Sequence, residues 1–128
     1  MPDYRIDPFP AEAELDQLWR RAWNAPLARP MRPVLERSLG HVGAYEGGEL
    51  IGFVNIAWDG GVHAFLLDTC TDPAHRRRGI ATELVRQAQA LARKRGAEWL
   101  HVDYEPHLDG FYRGCGFRPS AAGVMKLS

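Results

Sequence analysis

Residues 64–96 constrain the fold of this chain more than any other stretch. The apolar run Ala64-Phe65-Leu66-Leu67 leads to Thr71-Asp72-Pro73-Ala74-His75-Arg76-Arg77-Arg78-Gly79-Ile80-Ala81, and that basic turn opens an amphipathic segment. Ile80, Leu84, Ala88 and Leu91 recur at helical spacing, with Ala81, Val85 and Ala92 widening the stripe. Glu83, Arg86, Gln87, Gln89 and Arg93 fall largely on the other face. Arg93, Lys94 and Arg95 crowd the last turn, where cations suit the helix dipole, and Gly96 supplies the stop. The pattern predicts a strand, a tight basic turn and a helix. A helix start of this kind offers unpaired N–H groups and about half a positive charge, a ready site for phosphate.

Two phosphate loops are excluded. A Walker-type loop needs Gly-Lys-Ser/Thr, and here Gly79 is followed by Ile80 and Ala81. A dinucleotide fingerprint needs three spaced glycines in its first βα turn, and only Gly79 occurs. What remains is Arg76-x-x-Gly79-x-Ala81, in which Gly79 allows close backbone approach and the Ala81 methyl barely obstructs it. The 16 acidic side chains balance the 16 basic ones, so no general affinity for polyanions is implied and nucleic acid is not the expected partner. No 18-residue apolar run and no signal-peptide pattern occurs, so the expectation is a cytoplasmic protein with no membrane partner. Cys70 and Cys115 form neither a metal spacing nor a disulfide framework, and no metal is expected.

The 128 residues suit one domain. Residues 4–6 read as a short first strand, 11–23 as a helix with Leu15, Leu18, Trp19 and Ala22 on one face, and 34–39 as a short second helix. Strands are expected over 41–45, 50–58 and 62–71, joined by Glu46-Gly47-Gly48-Glu49 and Asp59-Gly60-Gly61, both with hairpin chemistry. After the long helix come a strand over 99–104, a short helix over 106–113 and a final strand over 124–127. This order predicts an α/β domain with a mixed sheet.

The motif series resembles the GNAT superfamily of N-acetyltransferases, whose pyrophosphate loop reads Gln/Arg-x-x-Gly-x-Gly/Ala. Family members carry a Val-x-Pro-like segment before the loop, here Thr71-Asp72-Pro73. About thirty residues later they carry an aromatic-Tyr pair and a Gly-Phe, here within Phe111-Tyr112-Arg113-Gly114-Cys115-Gly116-Phe117. The resemblance covers roughly residues 40–128. It implies a single-domain α/β fold whose mixed central sheet has six to seven strands flanked by helices. Residues 1–40 would form the substrate-side helices and 41–128 the acyl-CoA-binding core, with a splayed strand pair as the cleft.

The implied activity is acetyl transfer from acetyl-CoA to a primary amine of a small molecule or peptide, by direct attack in a ternary complex. By motif position, the backbone of Thr69, Cys70 and Thr71 pairs with the pantetheine arm. The pyrophosphate sits on amides of Arg77, Arg78, Gly79, Ile80, Ala81 and Thr82. Of the arginines Arg76, Arg77 and Arg78, one guanidinium is expected to order the loop and another to meet phosphate; read alone, the triplet is a solvated basic turn. Tyr112, five residues before Phe117, takes the place of the acid that protonates the leaving thiolate; read alone, a Phe-Tyr pair is more often packed. Many members carry an Asn seven residues before that Tyr, where this chain has Glu105, a carboxylate that accepts but cannot donate.

For a general base the candidates are His101, Asp68 and Asp103. His101 has an intrinsic pKa near 6.5, and Asp68 lies in an apolar run where burial raises a carboxyl. Nothing visible activates Cys115. The alternatives to the enzyme are a non-catalytic acyl-CoA-binding module and an oligomeric interaction protein. A homodimer is one way to cover the edges of so short a sheet.

Overall fold

The computed structural model describes residues 1–128. Five strands lie in the order β1 (Asp3–Ile6), β2 (Gly40–Glu46), β3 (Glu49–Trp58), β4 (His63–Thr71) and β5 (Trp99–Val102). Neighbours are antiparallel up to β4, and β4 and β5 are parallel. The helices are α1 (Glu12–Trp23), α2 (Arg32–Arg37), α3 (Ile80–Lys94) and α4 (Asp109–Gly114). A parallel pair needs a crossover, and α3 supplies it. The β2–β3 hairpin turns at Gly47 (φ +59°) and Gly48 (φ +79°), the two positive values a two-residue turn of matching twist requires.

The apolar stripe of α3 forms as the spacing predicts: Ile80, Leu84, Val85, Ala88, Leu91 and Ala92 are buried against Val42, Ala44, Val54, Ile56, Ala64 and Leu66. On the opposite sheet face, Leu15 and Leu18 of α1 and Leu35 of α2 pack with Tyr45, Leu50, Phe53 and Cys70. The first turn of α3 lies close on β3 at Gly52, where a Cβ would stand 3.0 Å from Leu84 Cδ1 and 3.1 Å from Ile80 Cγ2. That contact pins the helix start, and with it the basic turn, to the sheet.

Three expectations are corrected. The sheet has five strands rather than six or seven, because residues 124–127 form no ladder; Val124, Met125 and Leu127 are 82, 82 and 91 % exposed. Strand formation depends on pairing more than on local propensity, and this segment has no partner. The fifth strand ends at Val102 rather than at residue 104. Tyr104 leaves the strand to stack on Tyr112 (centroids 4.8 Å apart), and its hydroxyl donates to Asp109 Oδ1 at 2.7 Å. The helix expected over 106–113 divides into a 3-10 turn, Pro106–Leu108, and α4.

His41 anchors the N-terminal segment from inside the core. It is fully buried; its Nε2 accepts the Phe9 N–H at 2.9 Å and its backbone N–H donates to Asp7 Oδ1 at 2.9 Å. Asp7 in turn pairs with Arg95 at 2.8 Å. Burial lowers the His41 pKa to about 4; Asp7 opposes the shift, and Arg95 and Arg32 add to it. A folded pKa below the unfolded value of 6.5 means that this stabilisation is complete above pH 6.5 and is lost as the pH falls toward 4. The slope is about 1.4 kcal/mol per pH unit, roughly 3 kcal/mol in all. Urea unfolding of the wild type is therefore expected to weaken over this window more than that of His41→Gln. Parallel curves would contradict the assignment.

Candidate active site

The site begins with a bulge. Between β3 and β4 the register passes from Phe53↔Cys70 to Asn55↔Leu67, so β4 holds one residue more than its partner. Asp68, in this extra length, has φ +58°, a conformation that Asp tolerates better than most side chains. A bulge bends its strand. The pairing of β4 with β5 runs from His63↔Trp99 only to Leu66↔Val102, and beyond it residues 67–71 have no neighbour on that side. The strands have parted.

A cleft of about 550 Å³ occupies the gap. Thr69, Cys70 and Thr71 form one wall, and Arg76, Arg77, Gly79, Ile80, Ala81 and Thr82 form its end. His107, Leu108, Phe111 and Tyr112 close the far side, and Ala22 and Trp23 reach in from the end of α1. The basic turn is built locally. Asp72, nearly buried, accepts the Ala74 N–H at 3.0 Å, caps the 3-10 turn Pro73–His75 and pairs with Arg21 Nε at 2.7 Å. Arg77 (φ +63°) and Gly79 (φ +77°) then turn the chain into α3.

The amides of residues 77–82 have no acceptor within the protein; the first one satisfied is Glu83 N–H, which donates to Gly79 O at 3.0 Å. Six donors at one helix start, with Arg76 and Arg77 unpaired beside them, fit an oxygen-rich anion. Arg78 is set apart from this group. It donates to Glu46 Oε2 at 2.7 Å and lies 2.7 Å from His75 Nδ1, which ties the turn to β2 and holds the Glu46 carboxyl below its ordinary range. Deeper in, the Thr71 hydroxyl is buried without a partner.

Tyr112 is buried at 7 % exposure, between Tyr104, stacked at 4.8 Å, and the edge-on rings of Phe111 and Phe117. Burial raises its pKa and the neighbouring Thr69 side chain partly offsets this, so the phenol is protonated at neutral pH.

Asp68, His101 and Glu105 lie outside the cleft lining. Asp68 sits on the bulge, its pKa raised by burial, and its charge together with burial pushes the Cys70 thiol up. Past the bulge Asp68 and Cys70 stand two apart on β4, the spacing of residues that share a strand face, and Cys70 packs on the α1 side. His101 is exposed, 2.9 Å from His63 Nδ1 and stacked on Phe65, a pairing across β4 and β5 that sequence reasoning missed. Glu105 is exposed and leads into the turn Pro106–Leu108. His75, His107 and Asn55 were also missed. The signal for Asn55 was a polar residue inside the run Ile51-Gly52-Phe53-Val54-Asn55-Ile56; it is 1 % exposed and neither polar atom of its side chain is bonded.

No group of three or more His, Cys, Asp or Glu side chains is placed to hold a metal ion. No helix is long and apolar enough to cross a membrane. Residues 3–117 match the Acetyltransferase (GNAT) family. The chain belongs to that family.

The GNAT chain is 38 % identical over 63 residues to mycothiol acetyltransferase of Nocardia farcinica (strain IFM 10152), a match covering 49 % of this chain and about a fifth, 21 %, of that protein. A GNAT-family acetyltransferase of Streptococcus pneumoniae TIGR4 superposes with a TM-score of 0.85 at 20 % identity, covering 100 % of this chain and 98 % of that one. The aminoglycoside N-acetyltransferase AAC(6')-Iy, solved with CoA, gives 0.79 at 19 % identity, covering 100 % and 95 %. These structural likenesses establish the fold. Acetyl-CoA is the donor that GNAT acetyltransferases use.

Proposed function

We propose that the protein transfers an acetyl group from acetyl-CoA to a primary amine of a small molecule or peptide, by direct attack in a ternary complex. The observation that carries this reading is the meeting, in one cleft, of the unsatisfied amides of residues 77 and 79–82 at a helix start and a buried, protonated phenol. The amides of residues 77–82, with Arg76 and Arg77, hold the pyrophosphate. The free edge of β4 at Thr69, Cys70 and Thr71 lines the path of the pantetheine, with the unpartnered Thr71 hydroxyl beside it. Arg78 serves by ordering the turn. Glu105, outside the cleft lining, has no part in this reading.

Acetyl-CoA, when bound, supplies an activated acyl carbon and a thiolate leaving group. The amine must attack as the free base, yet an alkylammonium has a pKa of about 10.4. Asp68, half-buried on the bulge with its pKa raised by burial, takes that proton. As the C–S bond breaks, Tyr112 gives its phenolic proton to sulfur and recovers one from solvent. His101, on the exposed face with His63, stands as a relay to solvent rather than as the first acceptor. The test is thiol release from acetyl-CoA across a panel of primary amines. Amine-dependent release is expected; a protein that binds acetyl-CoA yet releases no thiol with any amine is the non-catalytic module instead.

A further inference from the structure

The sheet face covered by α1 and α2 at its centre continues onto β4 and β5 uncovered. Phe65 and Leu67 stand there at 38 and 43 % exposure, and the His101 ring stacks on Phe65 at 4.8 Å and 21°. Residues two apart on a strand share a face and lie about 7 Å from each other, so these side chains make a short apolar floor. The floor ends at Asp68, the next residue along. No cation of the chain pairs with Asp68: every ion pair in the structure involves other carboxylates. A half-buried carboxylate held in a left-handed conformation without a counter-ion is costly to keep, and it suits an incoming cation. Asn55, opposite Leu67 across the ladder, adds a second polar group under the same spot, buried and unbonded. Thr69, one residue past Asp68, already lines the acyl cleft. A cation at Asp68 therefore stands beside the place where the acyl group arrives.

We propose that this strip is the acceptor site, and that it takes a primary amine carried on a flat apolar body, an arylalkylamine in its ammonium form: Phe65 and Leu67 hold the ring, and Asp68 holds the nitrogen. The inference rests on the acetyl-transfer reading for its chemistry, but the binding it asserts is measurable without turnover. One carboxylate at the end of an apolar floor favours a single ammonium on a ring over a flexible polycation.

The test is calorimetric titration of the full chain, saturated with coenzyme A, with 2-phenylethylamine, 2-phenylethanol and spermidine. The amine is expected to bind at least about tenfold more tightly than the alcohol, which lacks the charge, or spermidine, which lacks the ring. Asp68→Asn and Leu67→Lys should each weaken it about tenfold or more. Leu67 is exposed enough that its lysine replacement leaves the core intact, and the melting temperature checks this. Spermidine binding as well as the arylalkylamine, or an unchanged affinity in Leu67→Lys, overturns the proposal. So does the absence of binding at millimolar amine, including the case where light scattering finds a second copy covering the strip. If 2-phenylethylamine binds but acetyl-CoA does not stabilise the protein, the acetyl-transfer reading fails and the strip stands.

Discussion

Replacing Tyr112 by phenylalanine is expected to lower kcat for amine acetylation by about a hundredfold or more, the usual scale of a lost general acid. The acetyl-CoA dissociation constant should move by less than about threefold. Phe keeps the stack on Tyr104 and the edge contacts with Phe111 and Phe117, so only the phenolic hydroxyl is removed. Thioesters with a more acidic thiol need less help in leaving, and with them the variant should recover much of its rate. A packing role predicts the reverse pattern: a lower melting temperature, with kcat loss independent of the leaving group. Steady-state thiol release with two thioesters, together with a melt, separates the two.

Gly79→Asp is expected to abolish stabilisation by acetyl-CoA while the unliganded protein still folds. Gly79 has φ +77°, and a Cβ there meets nothing within 4 Å, so a side chain fits sterically but projects where the turn faces the cleft. Aspartate tolerates this conformation better than most residues, which keeps the backbone cost low. Its carboxylate then competes with a phosphate for the same amides and repels it, and a loss of affinity of about a hundredfold or more is expected. Gly79→Asn, similar in shape but neutral, should lose less. Equal losses in the two variants would make the effect steric; no loss in either would place the phosphates elsewhere.

The parts of this molecule that could be read from the chain are those encoded by neighbours in sequence. The stripe on α3, the glycine pair at the β2–β3 turn and the order of the cleft residues from Thr69 to Thr82 are all local patterns, and the structure brings those cleft residues, Arg78 excepted, onto one wall with Tyr112 opposite. What was hidden depends on distant partners. Arg78 leaves the cleft because Glu46, 32 residues away, claims it. Tyr104 leaves β5 because Tyr112 and Asp109 hold it. Residues 124–127 are mostly apolar, as a strand would be, but no neighbouring strand accepts them. Asp68 reads as a carboxyl in an apolar run, and burial does raise its pKa, but the bulge on which it sits leaves no trace in composition.

The central claim is that the basic turn and the open edge of β4 form an acetyl-CoA site. The most direct measurement is the melting temperature of the protein with and without acetyl-CoA, beside coenzyme A alone. Ligand at a hundred times its dissociation constant adds about 2.7 kcal/mol of stability, which in a domain of this size raises the melting temperature by several degrees. A rise of that size with both ligands, lost in Gly79→Asp, is the predicted result. A folded protein whose melting temperature is unmoved by millimolar acetyl-CoA would contradict it.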